Sequence, residues 1–220
     1  MPVDSKLGGL HGGIFIAILV VSAAAFPALA WPWYLLAPLG AYAGLVLAIP
    51  PLRRTAPRFH AGRIAGLPLA GALLLSAATV GVLVVFDWLL QPQTSQLAAR
   101  IPVAPFGNVV LAGVCFSIVN AAMEELVFRG VLYESLARDW GATAAIVVTA
   151  AIFGLAHVHG YPPGPLGGIL AAGFGIALGI LRWWTGGLAL AIACHVLADA
   201  TIFGLLAAAG AFATRIQPLT

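Results

Sequence analysis

The chain has 220 residues, of which 62% are hydrophobic and only 8% are charged, and its formal net charge is +3. Ten Lys and Arg with seven Asp and Glu cannot cover the surface of a water-soluble domain of this size, and a disordered chain would be far less hydrophobic. The small net charge gives no indication of nucleic-acid binding. The composition therefore indicates a multi-pass membrane protein in contact with membrane lipids.

Seven apolar segments follow one another along the chain, and each is predicted to be a helix of an all-α transmembrane bundle. They are approximately Leu10–Ala30, Trp33–Pro51, Leu67–Leu90, Pro105–Phe128, Ala142–Val158, Leu166–Leu181 and Leu188–Phe212. Aromatic residues such as Trp31, Trp140 and Trp183 fall near the segment ends, where amphipathic rings prefer the headgroup level. The fold expected is a polytopic bundle of about seven helices.

The placement of the basic residues predicts the orientation of the bundle. The one extended polar connection, Leu52–Gly66, is rich in arginine, and cytoplasmic loops carry an excess of Lys and Arg. The residues assigned to the cytoplasmic side are Lys6, Arg53, Arg54, Arg58, Arg63, Arg138 and Arg182, and those assigned to the outside are Arg100 and Arg215. We therefore expect an integral protein of the cell inner membrane with a cytoplasmic N-terminus.

Six ionisable residues stand out in the fourth, fifth and seventh apolar segments, counting Arg129 at the end of the fourth, because such a residue costs about 2.5–3.5 kcal/mol on insertion. They are Glu124, Glu125, Arg129, His157, His195 and Asp199. Their convergence from three segments makes them candidates for a functional site, although a structural buried charge cluster is an open alternative. The other histidines, His11, His60 and His159, are expected at the membrane interface or in loops.

Spacing on the fourth segment separates two acidic residues by role. Glu125 and Arg129 are four residues apart with the acid first, which favours an ion pair on one helix face. Glu124 is rotated by about 100° from Glu125 and can point into the bundle. Asn120 shares the face of Glu124 and is expected to hydrogen-bond in the same pocket.

The fifth and seventh segments contribute two histidines opposite Glu124. His195 and Asp199 are four residues apart, so the acid can fix the tautomer of the imidazole or raise its basicity. A Glu removed from water suits general-base activation of a water molecule, and two histidines can bind a metal or stabilise an oxyanion. The constellation favours hydrolysis.

Three motifs in order carry a resemblance to a known family. Residues 124–129 read EExxxR, residues 153–157 read FxxxH, and residues 195–199 read HxxxD. This set resembles the CPBP intramembrane endopeptidases, also called the CAAX protease, bacteriocin-processing or abortive-infection family. The resemblance divides the chain into N-terminal helices with the basic loop (1–104), a catalytic CPBP-type core (105–213) and a tail (214–220).

The resemblance implies a site that cleaves a peptide or prenylated-protein substrate, with Glu124 activating water and His157 sharing that water or ligating a metal. His195 and Asp199 would stabilise the oxyanion, and Glu125 and Arg129 would hold the fourth helix. The family's metal use leaves open zinc at Glu124, His157, His195 and Asp199, or a metal-free reaction. The family usually has Asn where this chain has Asp199, which slightly favours a metal and leaves room for an inactive member.

Two alternatives and one geometric conflict accompany this hypothesis. The polar cluster could belong to a non-catalytic membrane immunity or scaffold protein, or to a proton-coupled transporter, against which the absence of an internal repeat argues. In simple antiparallel helices, Glu124 and His157 would lie about 12 and about 20 residues from the middle of their connection. Their depths would then differ by about 12 Å.

Overall fold

The computed structural model describes residues 3–101 and 103–216, with side chains at 9–101 and 103–210, and these ranges contain helices and no strands. The helices are α1 (Val3–Ala25), α2 (Trp33–Ala48), α3 (Pro50–Thr55), α4 (Leu67–Leu90), α5 (Ser95–Ala98), α6 (Phe106–Glu125), a π-helical turn (Leu126–Leu132), α7 (Tyr133–Ala156), α8 (Gly164–Thr185) and α9 (Ala189–Ile216). The side chains of Lys6 and Arg215, used in the charge assignment, lie outside the described residues, as do residues 217–220 of the predicted tail.

All seven predicted segments form helices, and the differences at their ends have local causes. The bounds of α4 are those predicted, Leu67–Leu90. Helix α1 ends at Ala25 rather than Ala30, because Pro27 disfavours helical backbone at the residue before it. Helix α2 ends at Ala48 for the same reason, and α3 begins at Pro50, where a missing N–H costs no hydrogen bond.

The bundle is that of an integral membrane protein. Among the described residues, four helical stretches are long and apolar enough to span a membrane: Leu67–Leu90, Phe106–Ala156, Gly164–Thr185 and Ala189–Gly210. Two shorter apolar helices are Gly9–Ala25 and Trp33–Ala48. The 51-residue stretch joins the fourth and fifth predicted segments.

Gly141 explains how this long stretch brings Glu124 and His157 to one site. Its φ of 79° and ψ of 166° lie outside the helical region and suit a residue without Cβ, so α7 consists of 133–140 and 142–156. Glu124 lies 17 residues before Gly141 and His157 lies 16 after it. The direction of the chain changes at Gly141, not at the middle of the predicted connection, and the expected depth mismatch does not occur.

Helices α7 and α8 pack closely through small residues. A side chain at Gly175 would lie 3.2 Å from the backbone of Ala150, and one at Gly154 would run into Gly168 and Ala172. Small residues at such contacts let two helix backbones approach. The approach brings the backbone carbonyl of Gly175 within reach of the polar residues of α6 and the π-helical turn.

The basic residues assigned to one side of the membrane meet at one end of the bundle. Arg138 donates to the carbonyl oxygen of Thr55 at 2.6 Å, and Arg63 donates to that of Trp184 at 2.5 Å. Arg182 pairs with Glu134 at the same end. The connection after α3, the first part of α7 and the end of α8 therefore lie together, as the charge assignment requires.

Of the two positions predicted for His11, the loop is wrong. Helix α1 begins at Val3, so His11 lies within it, and its side chain is fully buried. His11 Nδ1 lies 2.7 Å from the hydroxyl of Tyr42, and Nε2 lies 3.1 Å from that of Thr55. These hydrogen bonds tie α1 to α2 and α3 near the basic end. His60 and His159 are exposed, in agreement with the prediction.

Candidate active site

Glu124 lies in the last turn of α6 and is buried, as its predicted face requires. Its Oε1 accepts a hydrogen bond from Asn120 Nδ2 at 3.1 Å. Its Oε2 has no hydrogen-bond partner and lies 3.5 Å from His157 Nε2 and 3.7 Å from His195 Nε2. Oε2 therefore faces both histidines, while Oε1 is fixed by Asn120 of the same helix.

His157 follows the last residue of α7 and is fixed by its own helix. Its Nδ1 donates to the carbonyl oxygen of Phe153 at 2.7 Å, because a carbonyl can only accept. Its ring stacks on the ring of Phe153 with centroids 4.1 Å apart. Its side chain is 27% exposed, against 9% for Glu124. Nε2 is the nitrogen presented to the site, and the imidazole is more open to the surroundings than the carboxylate.

His195 on α9 is fixed by Glu125, which differs from the sequence expectation. Its Nδ1 lies 2.8 Å from Glu125 Oε1, whereas its Nε2 is 3.7 Å from Asp199 Oδ1, which is too long for a hydrogen bond. The expectation that Asp199 fixes the tautomer is therefore not met. Phe153 and Phe174 contact the ring edge-to-face, at centroid distances of 5.8 and 5.7 Å.

Glu125 and Arg129 form the ion pair that their spacing predicted, and both side chains are fully buried. Arg129 Nη1 donates to Glu125 Oε1 at 2.7 Å, and Nη2 donates to the carbonyl oxygen of Gly175 at 3.0 Å. The guanidinium also lies 4.8 Å from the ring centroid of Phe153. Glu125 Oε1 thus serves Arg129 and His195 together, and the pair joins α6, α8 and α9.

Asn120 joins Asp199 to this site. Its Nδ2 donates to Asp199 Oδ2 and to Glu124 Oε1, each at 3.1 Å. Its Oδ1 accepts from Trp31 Nε1 at 3.2 Å. The sequence indicated Asn120 through its spacing from Glu124, but it gave Trp31 only an interfacial role. No local pattern links Trp31 to α6, because the two residues are 89 positions apart.

The donor types around Glu124 are those that zinc takes. Carboxylates and imidazoles are ordinary zinc ligands. Among the side chains that the structure describes, however, no group of three or more His, Cys, Asp or Glu is arranged to hold a metal ion. Asn120 also engages one oxygen each of Glu124 and Asp199.

The arrangement can carry out general-base chemistry on a water molecule. Glu124 Oε2 is an acceptor without a partner, and it faces two imidazole nitrogens whose opposite nitrogens are already committed. A water molecule held there could give a proton to the carboxylate. Five of the six residues predicted from the sequence, all but Arg129, lie within 4 Å of another acid or histidine of the set, and Arg129 pairs with Glu125.

The comparison with known families agrees with the three motifs. Neither a curated protein nor a solved structure matches the chain significantly. The family model of the Rce1-like type II CAAX prenyl endopeptidases matches residues 106–201. The matched part begins with α6 and ends two residues after Asp199, so it includes all six candidate residues, and it supports a protease in a membrane setting. Residues 106–201 are therefore similar to the Rce1-like type II CAAX prenyl endopeptidases, in agreement with the CAAX protease family that the three motifs resemble.

Proposed function

We propose that this protein is an intramembrane endopeptidase that hydrolyses a peptide bond in a membrane-associated or prenylated substrate. The observation that carries the proposal is the unpartnered Oε2 of Glu124, which faces Nε2 of both His157 and His195 inside the family-matched segment. Cleavage of a membrane-presented peptide by the purified protein tests it, with the Glu124→Gln variant as the decisive comparison.

In the proposed first step, Glu124 Oε2 takes a proton from water as the water oxygen attacks the carbonyl carbon of the scissile bond. Asn120 holds Oε1 in place, so Oε2 is presented to the water. His157 Nε2 lies 3.5 Å from Oε2 and positions the same water. A general base of this kind contributes on the order of 10²–10⁴-fold to the rate.

In the proposed second step, the tetrahedral oxyanion collapses, the C–N bond breaks, and Glu124 returns its proton to the leaving amine. His195 in its cationic form donates from Nε2 to the oxyanion, because its Nδ1–H already points to Glu125. Donors that are fixed before the reaction stabilise developing charge without further reorganisation. Glu125 and Arg129 are positioning residues, since they act on the reaction through His195 and the fold.

Metal removal separates the two forms of chemistry that the sequence left open. We expect cleavage to survive dialysis against a strong chelator, because in the proposed reaction Glu124 and the two histidines act on the water without a metal. The measurement pairs metal analysis of the purified protein with the peptide assay before and after chelation. Loss of activity together with stoichiometric zinc, restored by added zinc, would instead assign a metal to Glu124, His157, His195 and Asp199.

Asp199, which stands where the family usually has Asn, gives a second prediction. Asp199→Asn keeps the shape and an oxygen that accepts from Asn120, and it adds an amide donor for the oxyanion. We expect its kcat to stay within about tenfold of the parent, since a single hydrogen bond is worth about 1 kcal/mol. Asp199→Leu removes the acceptor and is expected to lose more. An Asn variant as inactive as the Leu variant would show that the carboxylate itself is required.

The non-catalytic immunity or scaffold role is the alternative that Asp199 motivates, and it predicts biological activity without peptide cleavage.

For the orientation, we propose that the basic end faces the cytoplasm of an inner membrane, with the N-terminus on that side. The clustering of Arg54, Arg138 and Arg182 at one end supports this through the positive-inside rule. Labelling of cysteines introduced into the connection after α3, from either side of the membrane, reads out the orientation.

A further inference from the structure

A basic cleft opens at the end of the bundle where α3, the first part of α7 and the end of α8 meet. Its volume is about 610 Å³. The charged residues that line it are Arg54, Arg58, Glu134, Arg138 and Arg182, with His60 beside them. Four arginines against one glutamate leave an excess of three positive charges. None of these residues belongs to the candidate active site.

The arginines of this cleft are only partly matched by protein partners. Arg182 is 5% exposed and pairs with Glu134, but its Nε is buried without a hydrogen-bond partner. Arg138 uses Nη1 on the carbonyl oxygen of Thr55. Glu134 is thus the single acid of the lining, and it is already engaged. A buried N–H group without an acceptor is costly, which favours a ligand that completes the hydrogen bonds of Arg182.

Arg54 and Arg58 lie on the exposed side of the cleft. In the part of the chain that the structure describes, neither has a hydrogen bond or an ion pair to a protein group, and both are exposed. If these arginines served only to set the orientation of the protein in the membrane, they would need only to lie on the correct side of it. Here they border the same cleft as the buried Arg182, so their guanidinium groups can act on one ligand.

The position of the cleft indicates the chemistry of that ligand. Trp140, Trp183 and Trp184 are exposed in the segments that form it, and exposed Trp at a helix end marks the headgroup level of a membrane. The anions found at that level are phosphate groups. The planar guanidinium of Arg binds phosphate oxygens in a bidentate manner, which explains four arginines better than a general need for charge.

We propose that this basic cleft binds a phosphate group, carried either by an anionic lipid headgroup or by a free phosphate in solution. The ligand would join α3, α7 and α8 at the basic end, because its oxygens can bridge Arg54 or Arg58 to Arg182. The proposal does not depend on the peptidase activity, since the cleft residues and the candidate active site do not overlap.

The test measures the melting temperature of the full-length protein in neutral detergent. One arm compares potassium phosphate with potassium chloride at equal ionic strength, and the other compares mixed micelles of phosphatidylglycerol with micelles of phosphatidylcholine. We expect phosphatidylglycerol to raise the melting temperature in a saturable manner. A rise with inorganic phosphate as well identifies the free anion as a sufficient ligand, and a rise in the lipid arm alone identifies the headgroup as the source.

The matched control is a neighbouring arginine that carries the same charge. Arg54→Gln is expected to weaken the apparent affinity on the order of tenfold, whereas Arg53→Gln, exposed but not lining the cleft, leaves it unchanged. Arg58→Gln is the second cleft variant in case Arg54→Gln does not fold. No rise in either arm would overturn the proposal. Equal weakening by Arg53→Gln and Arg54→Gln would also overturn it, by showing a general surface-charge effect.

Discussion

Replacing Glu124 with glutamine is expected to lower the rate of peptide cleavage by on the order of 10²–10⁴-fold while the protein still accumulates in the membrane. Gln keeps the size of the side chain and an oxygen that can accept from Asn120, but it cannot take a proton from water. Since Oε2 has no hydrogen-bond partner, an amide nitrogen in its place breaks no hydrogen bond and removes only the negative charge that faces the two histidines. The effect should therefore fall on kcat and not on folding.

The measurement is cleavage of a membrane-presented peptide, with the folded amount checked by size-exclusion chromatography. Asp139→Asn is the matched control, because it also neutralises an acid but lies exposed beside Gly141, 15 residues from Glu124. His157→Ala is expected to abolish cleavage as well. Normal rates in both Glu124→Gln and His157→Ala would refute the assignment. Biological activity that survives in Glu124→Gln would favour the non-catalytic role.

Replacing Arg129 with methionine is expected to destabilise the protein by about 3–5 kcal/mol, because it removes the permanently charged partner of the buried Glu125 and leaves only the His195 imidazole beside the carboxylate. The variant also loses the hydrogen bond to the carbonyl oxygen of Gly175 and the contact with the ring of Phe153. The free energy of unfolding, or the melting temperature in detergent, measures the loss.

The double variant Arg129→Met with Glu125→Gln shows whether the loss of stability comes from an unpaired buried charge or from lost packing. Removing both charges of a buried pair is often close to neutral, whereas removing one is not. A glutamine at position 125 can still accept from His195 Nδ1, so the imidazole keeps its orientation. We expect the double variant to recover most of the stability. If it is no more stable than Arg129→Met alone, the loss does not come from the unpaired carboxylate.

Local spacing was sufficient to predict the features that lie on a single helix. The ion pair of Glu125 with Arg129 and the shared face of Asn120 and Glu124 both follow from separations of four residues. The bounds of α4 follow from an uninterrupted apolar run. These features depend only on the periodicity of a helix, which the sequence displays directly.

Contacts between distant helices were not predictable in this way. Spacing offered Asp199 as the partner of His195, but the structure gives Glu125, which is 70 positions away. The equal depth of Glu124 and His157 depends on where the long stretch changes direction, and nothing in the local pattern singled out Gly141. The burial of His11 was not predicted because its partners, Tyr42 and Thr55, are 31 and 44 positions away.

Phe153 shows why an apolar residue stands at the head of the FxxxH motif. One turn of α7 supplies a carbonyl oxygen that fixes the tautomer of His157 and a ring on which that imidazole rests. The same ring meets the imidazole of His195 and the guanidinium of Arg129. The phenylalanine of the motif therefore helps to orient the side chains of His157, His195 and Arg129 relative to one another.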